Sequence, residues 1–228
     1  MIRTKAISKG LLLAALLFAC TLPAKAQNER DSLKMAIELM EQHPDSVDLR
    51  LRKAAWNMQL GEWDRAKAEY DIVLRLSPDN LAGLYFRAYA NEQLRRYSFA
   101  RLDYEHLLRL VPGNFEARLG LALLNQKDKH FTEAMDQINL LVNEFPDSAI
   151  VFAARAGIEE ERGMLELAEY DYSEALRKDP QNRDYRIARA DLRTRLGRTD
   201  AARADLDELV RSGVPRPSLF EMYENLKK

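Results

Sequence analysis

Small and apolar side chains group into ten helix-length stretches, near residues 47–60, 63–76, 81–94, 97–110, 115–127, 131–144, 149–162, 165–178, 183–196 and 199–212. The stretches alternate in kind, and the alternation repeats every 34 residues. In the first member of each pair, a small column holds Ala54, Ala88, Ala122, Ala156 and Ala190. In the second member, another holds Ala66, Ala100, Ala134, Ala168 and Ala202. A bulky column follows it: Tyr70, Tyr104, Ile138, Tyr172 and Leu206. Small residues let two helix axes approach closely, and large ones fill the space beside them. Charges of both signs are interleaved along the stretches, which is the pattern of solvated helix faces.

Breaks between stretches keep the same period. Pro44, Pro78, Pro112, Pro146 and Pro180 stand 34 residues apart. A proline just past a helix has no amide hydrogen to donate and stops it. Asp45-Ser46, Asn80, Asn114, Ser148 and Asn182 precede the first helices, where their side chains can cap free amides. Gly61, Gly163 and Gly197 mark the turn inside three units, and Arg95 and Lys129 hold that place in the other two. A 34-residue period is that of a helix–turn–helix repeat. The expectation is an all-α solenoid of antiparallel helix pairs in five units, 47–80, 81–114, 115–148, 149–182 and 183–214.

Solenoid ends need polar caps. Residues 27–46 are expected to supply a half-unit helix, from Ser32 to Gln42. Residues 215–228 are expected to supply a closing helix that starts at Pro217-Ser218-Leu219-Phe220-Glu221, with Ser218 and Glu221 at capping-box spacing. Leu219, Met222, Tyr223 and Leu226 would form its apolar face.

Over residues 47–214 the chain resembles the tetratricopeptide repeat (TPR) family. The alanine, bulky and proline columns carry the likeness. The family's tryptophan column instead holds Arg50, Leu84, Arg118, Phe152 and Arg186. Its tyrosine column reads Asn57, Asn91, Asn125, Glu159 and Arg193. The resemblance implies a right-handed superhelical solenoid whose first helices line a groove that binds a protein or peptide. The lysine and asparagine set of the family's carboxylate clamp is not found there.

The first 26 residues read as a secretory signal peptide rather than part of the fold. Arg3, Lys5 and Lys9 precede an apolar run from Leu11 to Leu22, and Ala24-Lys25-Ala26 forms a small-x-small cleavage site. The run is shorter than the about 20 residues of a membrane span. Localisation across the inner membrane, in the periplasm, follows as an expectation. The alternative is a membrane-anchored lipoprotein lipidated at Cys20, which follows Leu17-Phe18-Ala19. Cys20 is the only cysteine, so a chain cut after Ala26 has no thiol and no disulfide. The signal holds four of the 35 Lys and Arg and none of the 36 Asp and Glu, so residues 27–228 carry a formal charge of −5 (31 against 36). No basic stripe suggests nucleic acid.

Lys53, Arg87, Arg155 and Arg189 share one column, and Glu69, Asp103, Asp171 and Asp205 follow sixteen residues later. In the third unit both charges vanish together, as Leu121 and Gln137. Joint loss reads as partnership, so Arg87–Asp103, Arg155–Asp171 and Arg189–Asp205 are expected as structural ion pairs within units. His43, His106 and His130 occupy unrelated columns, and no metal-ligand spacing, glycine-rich phosphate loop or nucleophile–base arrangement is found. No enzyme activity, cofactor or metal is expected. A protein or peptide partner is expected in the groove, on Leu51, Met58, Tyr85, Tyr89, Glu92, Leu119, Leu123 and Gln126. Tyr85 and Tyr89 with Leu119 and Leu123 would make its aromatic–apolar patch. The rival reading of these side chains is helix-to-helix packing. At the level of the whole chain, a structural organiser of an envelope assembly is the alternative to an adaptor.

Overall fold

A computed structural model describes Lys34, Met35, Glu38 and residues 41–227. The signal peptide, Cys20 and most of the N-terminal half-unit lie outside the described residues, although Lys34, Met35, Glu38, Glu41 and Gln42 are helical. All regular secondary structure among the described residues is helical, with no strand among them. They fall into two compact units that divide between His130 and Phe131, inside the third expected repeat.

The first unit contains α1 (Val47–Gln59), α2 (Trp63–Leu76), α3 (Leu81–Gln93), α4 (Tyr97–Leu110) and α5 (Phe115–Lys127). Each helix packs on the next, and the first helices α1, α3 and α5 also touch in sequence. The second unit contains α6 (Phe131–Glu144), α7 (Ala149–Glu161), α8 (Leu165–Lys178), α9 (Arg183–Arg195), α10 (Thr199–Arg211), a 3-10 turn (Arg216–Leu219) and α11 (Phe220–Asn225). There too, consecutive helices pack.

Every alanine of the two small columns is fully buried, and Tyr70, Tyr104, Ile138, Tyr172 and Leu206 fill the space beside them. Helix starts follow the predicted caps. The side chains of Ser46, Asn80, Asn114 and Asn182 accept hydrogen bonds from the amides of Leu49, Gly83, Ala117 and Tyr185. Ser148 sits at the equivalent place but makes no side-chain cap. Helix ends follow the prolines. Ser77, Val111 and Asp179 leave the helix with ψ of 87°, 83° and 79°, because the ring of a following proline disfavours the helical conformation.

The turn inside each hairpin needs a left-handed residue. Gly61, Gly163 and Gly197 supply it with φ of 74°, 78° and 71°. Arg95 and Lys129 adopt φ of 60° and 66° at the same place. A side chain there strains against the backbone, whereas glycine does not. Arg95→Gly is therefore expected to raise stability by about 0.5–1 kcal/mol, and Gly61→Ala to lower it by a similar amount. Urea midpoints measure both.

The C-terminal segment differs from expectation. Ser218 lies within the 3-10 turn and its hydroxyl donates to the Pro215 carbonyl, so no capping box forms with Glu221. Pro215 and Pro217 hold this entry away from α-helical geometry, and the α-helix begins only at Phe220. Leu219, Tyr223 and Leu226 still close the core against Ala202, Leu206 and Leu209.

Candidate functional site

The first helices of the unit ending at His130 carry the expected groove residues. Leu51 is half-buried on a cluster of Ala54, Met58, Ala66 and Tyr70. Met58 is buried, and its Sδ accepts from the Tyr70 hydroxyl at 3.1 Å. Tyr85 is half-buried, edge-on to Tyr104 at 5.9 Å and to Phe86 at 5.2 Å. Tyr89 is half-buried and edge-on to Trp63 at 5.8 Å. Trp63, at the start of α2, and Phe86, stacked on Tyr70 at 6.1 Å, join the site without having been expected there. The signal for Trp63 was its rarity, since the chain has two tryptophans.

Glu92 lies beneath these rings, only 4% exposed. The Tyr104 hydroxyl donates to its Oε1 at 2.6 Å, and the Lys127 ammonium pairs with its Oε2. Tyr104 is pushed well above the usual tyrosine range by burial and then by the Glu92 charge. Tyr85 is pushed up to about 12, again by burial first and Glu92 second. Both hydroxyls stay protonated.

Leu119 and Leu123 do not form the accessible patch expected of them. They are 7% and 6% exposed. The run Leu119-Gly120-Leu121-Ala122-Leu123-Leu124 is apolar all round, and such a helix is buried on every side. Met58 and Glu92 are likewise buried. The accessible part of the site is Tyr85 and Tyr89, with Leu51 on α1 and Gln126 on α5, each half-buried.

The charged columns brace the hairpins. Arg87 grips Asp103 with Nε at 2.8 Å and Nη2 at 2.6 Å. Arg155 grips Asp171 at 2.5 and 2.9 Å, and Arg189 grips Asp205 at 3.0 and 2.6 Å. Lys53 pairs with Glu69 at 2.5 Å. Each arginine's third nitrogen reaches sixteen residues back, to Asp71, Asn139 or Ser173. One fork therefore ties three successive helices. In the closing helix, Tyr223 occupies this column and donates to Asp207 at 2.6 Å.

Glu159 is the one acid in the column of Asn57, Asn91 and Asn125. It is buried, shares a hydrogen bond with Asp171, and has no partner on Oε2. Burial first, then the Asp171 charge, pushes its carboxyl from 4.5 up to about 7, against the pull of Arg155. A folded-state value above the unfolded one stabilises fully below the unfolded value, and that gain is lost as pH rises through the folded value. Stability should thus fall by roughly 1–3 kcal/mol between about pH 4.5 and 7. Glu159→Gln should remove this slope, as urea midpoints at about pH 5 and pH 8 would record.

Among the described residues, no group of three or more His, Cys, Asp or Glu is placed to hold a metal ion. Asp103 is occupied by Arg87, and His106 faces Asp79 at 3.0 Å.

Stacked helical hairpins of 34-residue period, with alanine columns at the crossings and a partly open aromatic face, define a helical-repeat scaffold. A tetratricopeptide-repeat family model matches residues 57–114 and 160–217, and the chain belongs to the TPR family. Its fold is that of a scaffold for protein–protein interaction, and proteins of this kind are in general non-catalytic. Among solved structures, a TPR protein from Parabacteroides merdae aligns with a TM-score of 0.77 at 20% identity, over 90% of this chain and 80% of that one. A thermophilic TPR protein from Thermus thermophilus aligns with a TM-score of 0.66 at 19% identity, over 79% and 98%. YrrB, a TPR protein with an unusual peptide-binding site, aligns with a TM-score of 0.55 at 17% identity, over 85% and 98%. No curated protein matches the chain.

Proposed function

We propose that this chain is an exported adaptor that binds a protein or peptide segment in the cell envelope on the tyrosine-bearing face of α1, α3 and α5. The observation that carries this reading is the pair Tyr85 and Tyr89. Each ring is half-open, and each is braced edge-on by another aromatic. A braced ring loses little freedom when a partner covers it, which suits tyrosine to anchoring. The peptide-binding site of YrrB, a protein of similar fold, favours a peptide segment as the ligand. Export rests on the basic start, the short apolar run and Ala24-Lys25-Ala26.

Ala55 is exposed and precedes Tyr89 by one repeat period. A photo-crosslinking residue placed there, in producing cells, is expected to capture an envelope protein. The exported chain should have a mass that starts at Gln27. Lipid labelling at Cys20 would instead favour the membrane-anchored organiser. A full-length chain retained in the cytoplasm would overturn export.

A further inference from the structure

Position 203 belongs to a column, Lys67, Arg101, Met135 and Glu169, of which Arg101 and Glu169 reach into the following repeat while Lys67 pairs with Asp71 on its own helix. In α4, Arg101 donates to Asn125 Oδ1 at 2.5 Å and pairs with Asp128 at 3.2 Å. In α8, Glu169 holds the same place with inverted sign, and receives Arg193 at 2.6 Å and Arg198. In α10 the column holds Arg203, and the residue in step with Asn125 and Arg193 is Lys227. A slot that carries complementary partners twice now presents two cations. Lys227 is paired with Glu224 at 2.5 Å. Arg203 is exposed and has no carboxylate partner among the described residues.

Arg216 is in the same condition. Its guanidinium lies 4.7 Å above the Tyr223 ring, and it too has no ion pair among the described residues. The Tyr223 hydroxyl is held by Asp207, which fixes the ring that Arg216 rests on. Between the two arginines opens a pocket of about 580 Å³, walled by Pro217, Phe220 and Tyr223. Phe220 is 62% exposed. Glu224 is the one acid in the lining, and Lys227 already meets its charge.

We infer that this pocket binds an acidic segment of a partner protein that carries a bulky apolar side chain. The carboxylates meet Arg203 and Arg216, and the apolar side chain rests on Pro217 and Phe220. Guanidinium groups present planar forks that match carboxylates. The apolar wall adds contact area that a bare anion would leave unused. This surface is separate from the tyrosine face and does not rest on it.

The labelled peptide acetyl-Glu-Glu-Leu-Phe-Glu-Glu-amide, titrated against the purified protein by fluorescence anisotropy, tests this. Arg203→Gln with Arg216→Gln is expected to weaken binding about 10-fold or more, and Phe220→Ala about 5-fold. Arg216→Lys, which keeps the charge but loses the fork, should fall between wild type and the double variant. The glutamine counterpart of the peptide should bind at least about 10-fold more weakly than the acidic one. Tyr85→Ala with Tyr89→Ala should leave this affinity unchanged, which separates the pocket from the tyrosine face. All three residues changed at the pocket are exposed, so helicity by circular dichroism should be preserved. Equal affinity in the double variant overturns the inference, as does equal affinity for the glutamine peptide. Failure of the wild-type protein to bind the peptide, including binding only to phosphatidylglycerol vesicles, overturns it as well.

Discussion

Arg87→Ala should destabilise the protein by about 3–5 kcal/mol, because it leaves a buried carboxylate without a counter-charge. The Asp103 side chain is only 6% exposed, and Arg87 is its sole partner in an ion pair among the described residues. Asp71, which also loses Arg87, keeps Lys67 at 2.7 Å. Arg189→Ala should cost less, since Arg193 also reaches Asp205 at 2.8 Å. The third repeat supplies the control, with Leu121 and Gln137 in place of the two charges. Arg87→Leu combined with Asp103→Gln copies that repeat and should recover most of the loss. Urea midpoints for Arg87→Leu, Asp103→Gln and the double variant give the coupling directly. A single Arg87→Ala cost below about 1 kcal/mol would mean that the pair behaves as an exposed one.

Gly120→Ala should cost about 1–3 kcal/mol through overpacking. A Cβ at Gly120 would stand 2.7 Å from Cζ of Tyr104 and 2.9 Å from its hydroxyl oxygen. That ring cannot retreat, because it is fully buried and its hydroxyl is tied to Glu92 at 2.6 Å. The helix propensity gained over glycine is only about 1 kcal/mol. Gly113→Ala, in the turn before α5, is the steric control, since a Cβ there meets nothing within 4 Å. If Gly120→Ala leaves the urea midpoint unchanged, the close approach of α4 and α5 is not as drawn.

Features that repeat could be read from the chain, and features that occur once could not. The asparagine and proline columns placed helix ends to within about one residue, because a cap and a missing amide each act within a single turn. The arginine–aspartate columns located the hairpin braces through their joint absence at Leu121 and Gln137. The third contact of each fork escaped, since Asp71, Asn139 and Ser173 share hydrogen-bonding capacity but not charge. Spacing put Leu119 and Leu123 on the same face as Tyr85, but spacing says nothing of what covers a face. The unbroken apolar run around Gly120 was the signal of their burial. At the C-terminus, Ser218 and Glu221 had capping-box spacing, yet Pro215 and Pro217 shaped the backbone around them into a 3-10 turn.

Partner binding through the tyrosine face is tested most directly by the affinity of a captured envelope protein for Tyr85→Ala/Tyr89→Ala, once circular dichroism shows the variant folded. Removing a buried aromatic anchor typically costs about 2 kcal/mol or more, and the costs of neighbouring anchors do not simply add. The expected result is therefore a Kd raised by about 30-fold or more, at about 1.4 kcal/mol per decade. A Kd within about twofold of wild type would contradict the role given to this face.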